Sequence, residues 1–246
     1  MIPSFSRALL LLLLLLHLHL PQVTAWGDLT NKRVIKDSVN FNDIYHVAVA
    51  PNGKSVYACA RHADTVMQWD RNTTNGDLSN RKVYTDTKHL DGASCVVVSP
   101  DNKHVYVVSY NSQSICTWTH NFETNDLDNR VCKFSTHLYG AETVVVSPDG
   151  KNVYATSYVQ KAIIIWTRNV ETGALTNEVE IRSELQMSGA RGLVVSPKGD
   201  FVYISCTLAH TLVYWRRNLQ DGSLTHMTYL NDRKVCVCVC FFCWFS

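Results

Sequence analysis

The sequence predicts an all-β fold of repeated four-stranded antiparallel sheets, and three observations carry that prediction. First, a turn block of the type Ser-Pro-Asp-Gly-Lys returns four times, with prolines at Pro51, Pro100, Pro148 and Pro197 and steps of 49, 48 and 49 residues. Second, three further columns stay in phase with it: Tyr57, Tyr106, Tyr154 and Tyr203; Trp69, Trp118, Trp166 and Trp215; Leu78, Leu127, Leu175 and Leu224. Third, the segments between turns are short, dense in Val, Ile, Tyr and Trp, and lack a 3.6-residue period.

Each copy reads as four strands. In the second, the apolar run Val96–Val98 stops at Ser-Pro-Asp-Asn-Lys, where proline presets a turn. Val105–Ser109, Ser114–Thr119 and Leu127–Phe134 follow. A four-stranded unit repeated every 40–50 residues is the signature of a β-propeller blade. The first strand is nearly continuous in apolar residues, as an inner strand covered on both faces should be. The blades are expected at about 43–84, 92–133, 140–181 and 189–230.

Val146–Tyr158 and Trp166–Thr176 resemble the lactonase-like, YVTN-type propellers, and the resemblance spans almost all of Asp28–Arg233. It implies a ring of seven blades. It also implies a family that holds sugar-lactone hydrolases, carboxymuconate cyclases and secreted proteins without assigned reactions. Seven blades at this period need about 340 residues, whereas four copies are present. An extra leading strand is expected at 28–35. It is one too many for a four-bladed ring and suits a longer ring whose last blade lacks that strand.

The ends read differently from the repeats, which occupy 26–234. Residues 1–25 have the form of a secretory signal: Arg7, the apolar run Ala8–Leu20 and small residues up to a cleavage site after Ala25. That run is too short to span a bilayer, which takes about 20 residues, so no membrane span is expected. At the other end, 235–246 alternates Val and Cys, as translation of a GT repeat would. Coding sequence is expected to stop near Lys234, the alternative being a genuine cysteine-rich end. The net charge of +2 with no basic run argues against nucleic-acid binding.

Cys236, Cys238, Cys240 and Cys243 fall in that tail; the body holds Cys59, Cys95, Cys116, Cys132 and Cys206. Buried small hydrophobes are the default reading for these. A secreted chain permits disulfides, and Cys116–Cys132, on strands that should form one hairpin, is the one candidate bridge. Asn72-Thr73-Thr74 is a glycosylation sequon in a strand-connecting loop. Asp70, Asn72 and Thr74 alternate as in a calcium loop, but Asn75 stands where such a loop needs glycine, so no metal site is expected. No HExxH or GxSxG motif and no histidine pair at i, i+4 appears, and no cofactor is expected.

Propellers bind ligands where the inner strands begin. Six residues before each turn proline stand Tyr45, Ser94, Glu142 and Arg191, a column that varies beside apolar neighbours. Glu142 and Arg191 are the catalytic candidates, the arginine clamping a carboxylate while the glutamate moves a proton; the alternative is an interblade ion pair. Arg61, His62, Tyr110, Lys161 and His210, from the loops after the second strands, are expected on the same face as ligand-binding residues. The expected function is a secreted, extracellular binding or matrix-associated module, its partner an extracellular protein, a glycan or a small carboxylate, with enzyme activity weighed as less favoured. The alternative is a metal-independent lactonase or cyclase acting at the mouth.

Overall fold

The computed structural model describes residues 33–121 and 124–231. The signal with its cleavage site, the tail from 235 on and residues 28–32 of the expected leading strand lie outside the described residues. Residues 33–35 of that strand are described and are not in a strand. The chain divides into a unit Met1–Lys36 and a unit Asp37–Ser246; the second carries the described strands.

These strands form four separate four-stranded antiparallel sheets. Blade 1 is β1 (Ile44–Val49), β2 (Ser55–Ala60), β3 (Thr65–Arg71) and β4 (Leu78–Thr85). Blade 2 is β5 (Ala93–Val98), β6 (His104–Ser109), β7 (Ser114–His120) and β8 (Leu127–Phe134). Blade 3 is β9 (Ala141–Val146), β10 (Asn152–Ser157), β11 (Ala162–Arg168) and β12 (Leu175–Arg182). Blade 4 is β13 (Ala190–Val195), β14 (Phe201–Cys206), β15 (Thr211–Arg217) and β16 (Leu224–Asn231). The repeat is kept in register, with Tyr57 opposite Gln68, Tyr106 opposite Thr117, Tyr154 opposite Ile165 and Tyr203 opposite Tyr214. First strands of successive blades lie side by side. The fold is an all-β propeller architecture.

The core lies between blades. The tyrosine column of one blade and the tryptophan column of the next fill each seam: Tyr57 with Trp118, Tyr106 with Trp166, Tyr154 with Trp215. Consequently β2, β6 and β10 are buried at every residue, whereas the outer strands alternate or are exposed. The first strands are not uniformly inner in character. β5 is almost wholly buried, but β1 and β13 are half exposed, because blades 1 and 4 each lack one neighbouring blade among the described residues. On blade 1 the segment before β1 partly covers that side, Phe41 packing edge-on against Trp69.

A buried arginine locks two of the seams. Arg168 of blade 3 donates from Nε to Tyr106 Oη (2.8 Å), from Nη1 to the Gly150 carbonyl (2.8 Å) and from Nη2 to Asp101 (2.9 Å) and His104 Nδ1 (2.7 Å). Arg217 of blade 4 repeats this on Tyr154, Gly199, Asp149 and Asn152. Each tyrosine in turn donates to the carbonyl of Gly173 or Gly222. Those two glycines have positive φ, and a Cβ there would overlap His104 or Asn152. Burial works to raise the Asp101 and Asp149 carboxyls, but Ser99 or Ser147 and the clamp arginine hold both below the usual range.

The seam between blades 1 and 2 is built differently. His120 stands in the arginine column, Asn52 in the aspartate column and Asn125 in the glycine column, where the small Ser55 leaves room for its side chain and donates to it at 2.7 Å. Among the described residues the buried Tyr57 hydroxyl has no hydrogen-bond partner of good geometry. A cavity of about 500 Å³ lined by Asn52, Lys54, Arg71, His120 and Asn125 opens at this end of the seam. Cys116 and Cys132, directly opposite on β7 and β8, are joined by a disulfide, while Cys59, Cys95 and Cys206 are buried free thiols whose pKa values burial pushes up.

Arg168→Met is expected to cost about 3 kcal/mol in urea unfolding, because it strips the buried Tyr106 hydroxyl and the partly exposed Asp101 carboxylate of their partner. Arg71→Met, in the same column on the side of blade 1 that no other described blade faces, is expected to cost under about 1 kcal/mol; equal losses would contradict the clamp. A second expectation concerns acid. Burial, then the Arg168 charge, lowers the His104 pKa from its usual 6.5. The unfolded chain therefore binds this proton more readily, and the stability carried by neutral His104 is complete above about pH 6.5 and lost as pH falls below it. His104→Asn, which copies Asn152 of the next seam, should flatten the fall in Tm between about pH 7 and pH 5; an unchanged slope would contradict this.

Candidate functional site at the channel mouth

A backbone irregularity places the candidate column. In all four blades the register between first and second strand slips at one point: between Ile44 and His46, Ala93 and Cys95, Ala141 and Thr143, and Ala190 and Leu193. The skipped residues include Tyr45, Ser94, Glu142 and Arg191. A bulge leaves its extra residue unpaired and re-aims its side chain, so each blade delivers one side chain of free choice to the same level of the channel. Side-chain hydroxyls hold the bulges. Ser94 Oγ donates to the Ala141 carbonyl (2.7 Å), Thr156 Oγ1 donates to the Arg191 carbonyl (2.8 Å), and the Gly192 amide donates to Ser205 Oγ (3.1 Å).

Three of the four side chains meet. Tyr45 Oη donates to Glu142 Oε2 at 2.8 Å and accepts from Arg191 Nη2 at 2.7 Å. Arg191 Nε lies 3.5 Å from the same carboxylate oxygen. Arg61, on the β2–β3 turn, brings Nη2 to 3.7 Å from Glu142 Oε1, its guanidinium resting on the Tyr45 ring (4.7 Å) and the Tyr110 ring (4.1 Å). The Glu142 side chain is 3% exposed, against 18% for Arg61 and 48% for Arg191. Burial first, then the Glu142 carboxylate, raises the Tyr45 pKa, so the phenol keeps its proton at neutral pH. With two guanidiniums around one carboxylate, this cluster has a guanidinium in excess, suited to an oxyanion or a carboxylate.

The remaining candidates stand apart. Ser94 is buried and spends its hydroxyl on backbone. Lys161 pairs with Glu184 at 2.5 Å. His62 is exposed beside Asp43 at 3.5 Å, and His210 is exposed on the β14–β15 turn. These loops do lie at the mouth end, but only Arg61 and Tyr110 are long and flat enough, and close enough, to stack over the column. Sequence reasoning missed the clamp column Arg71, His120, Arg168 and Arg217. The one signal in the sequence is arginine two residues after the repeat tryptophan in three copies. Among the described residues no group of three or more His, Cys, Asp and Glu is placed to hold a metal ion, and no helix is long and apolar enough to cross a membrane.

A family model described as a lactonase, 7-bladed beta-propeller, matches residues 34–241. The chain belongs to this lactonase family. Among solved structures, a candidate 6-phosphogluconolactonase from Bacteroides uniformis aligns at TM-score 0.65 and 18% identity, covering 76% of this chain and 57% of that one. A periplasmic gluconolactonase from Pseudomonas aeruginosa aligns at 0.64 and 16%, covering 76% and 54%. A protein from Lactobacillus plantarum aligns at 0.66 and 20%, covering 76% and 57%. At these identities the likeness shows the fold, and the chain spans somewhat over half the length of the structures it matches. No curated protein matches it.

The expected non-enzymatic binding or matrix-associated module is overturned by that family match, which favours the alternative, lactonase reading. The physical basis of the error lies in the mouth column. It was weighed as an interblade ion pair, whereas Tyr45, Glu142 and Arg191, from bulges, and Arg61, from a turn, form one connected cluster.

Proposed function

We propose that this lactonase-family chain is a secreted hydrolase that opens lactones to hydroxy acids at the channel mouth. One observation carries the reading: Glu142 is buried at the mouth and held by Tyr45 and Arg61, from a bulge and a turn of blade 1, and by Arg191, from the bulge of the neighbouring blade 4. Opening a lactone needs a base to take a proton from water and positive groups where the carbonyl oxygen becomes negative. Glu142 is the base of this set. Arg191, the more exposed guanidinium, polarises the carbonyl. Among the described residues the Arg61 guanidinium donors have only the long contact to Glu142, so it suits an anionic substituent on the substrate or the carboxylate of the product.

Secretion would expose Asn72 to glycosylation. The residue is exposed, and its Oδ1 accepts from the Thr74 amide at 2.8 Å, a turn repeated by Asn169 and Asn218 without a following threonine or serine. Thr74 thus adds a sequon to a turn that folds without it.

The hydrolase reading is tested by acid release from a lactone panel followed by pH-stat. Glu142→Gln and Arg191→Ala are each expected to lower kcat/KM by about 100-fold or more on any lactone the full chain opens; unchanged turnover in both would remove the site. For the glycan, protein secreted from eukaryotic cells should carry a glycan-sized mass increment on the Asn72 peptide that Thr74→Ala abolishes. An unmodified Asn72 peptide in the wild-type protein would refute it.

A further inference from the structure

We propose that Tyr45 is the catalytic residue that meets water and substrate, relaying protons between them and the Glu142 carboxylate behind it. This rests on the lactone-opening reading. The Glu142 side chain is 3% exposed, with Oε2 covered by Tyr45 Oη and Arg191 Nε and Oε1 facing Arg61. Tyr45 is only half buried. A water molecule arriving at the mouth therefore reaches the phenol before it reaches the carboxylate. A phenol oxygen has one proton and two lone pairs. Here the proton points to Glu142 and one lone pair takes the Arg191 N–H, so the second lone pair is the one that can receive a proton from outside.

The relay closes without leftover protons. Water oxygen bonds to the lactone carbonyl carbon; its proton passes to Tyr45 Oη as the tyrosine's own proton passes to Glu142 Oε2. The tetrahedral intermediate, its oxyanion facing Arg191, then collapses and breaks the ring C–O bond. The departing alkoxide takes a proton from Tyr45, and Glu142 returns one to the phenol. The hydroxy acid leaves as the acid and ionises in solvent, and both residues are back in their starting states. Arg191 keeps its hydrogen bond to Tyr45 throughout, which favours the transient negative charge on the phenol oxygen.

The test uses the full chain with two lactones, glucono-δ-lactone, whose leaving group is an alkoxide, and dihydrocoumarin, whose leaving group is a phenolate that needs little protonation. Tyr45→Phe, isosteric and checked for unchanged Tm, should slow the first by about 100-fold or more and the second by at least about tenfold less. The Tyr45→Phe/Glu142→Gln double variant should be no slower than the slower single variant, because the two act as a unit. Activity of Tyr45→Phe within about threefold of wild type, equal losses on both lactones, or losses that multiply in the double variant would overturn the relay and leave the hydrolase reading standing. A wild-type chain inert on both lactones would overturn the hydrolase reading and the relay with it.

Discussion

Taking a guanidinium out of water is costly unless its donors all find acceptors, and the Arg168 and Arg217 side chains have no exposed surface. Their acceptors come from two blades at once: a carbonyl of the arginine's own blade, and a tyrosine, a turn aspartate and a strand-end side chain of the blade before it. Only one rotation of blade against blade satisfies that set. Apolar packing of tyrosine against tryptophan columns supplies most of the area in each seam, but area is non-directional. In the two seams that carry it, the directional clamp fixes how one blade is rotated against the next.

The mouth depends on that rotation. Tyr45, Glu142 and Arg191 come from the first, third and fourth blades, and a hydrogen bond links residues 45 and 191. A small change in the rotation per blade would multiply across three seams and part these side chains. The bulge supplies the other half of the design. It frees one residue per blade from strand pairing, so chemistry at that position varies without cost to the sheet. Blade 2 uses the position for Ser94, a brace; the others use it for charge and a phenol.

The fold was legible because its signals are periodic. Proline turns, tyrosines, tryptophans and leucines recur in phase, and the strands fall between them. The mouth column was legible for the same reason, by counting back from each proline. What could not be read was contact across repeats. Glu142 was seen as a partner for Arg191, but the phenol between them depends on the curvature of three seams, which no spacing within one repeat encodes. The clamp was hidden by its own chemistry, since arginine two residues after tryptophan looks like a solvated strand end until the preceding blade is set beside it. The function was misjudged because turn and packing residues, which dominate the repeat, speak to scaffold and not to site.

The most direct measurement is a crystal structure of the full chain soaked with an aldonate, the product of the proposed reaction. The account predicts the aldonate carboxylate between Arg61 and Arg191, with its nearest oxygen within hydrogen-bond distance of Tyr45 Oη and Glu142 reached only through that phenol. An aldonate bound away from the mouth, or a mouth in which Tyr45 and Arg191 do not meet over Glu142, would contradict it.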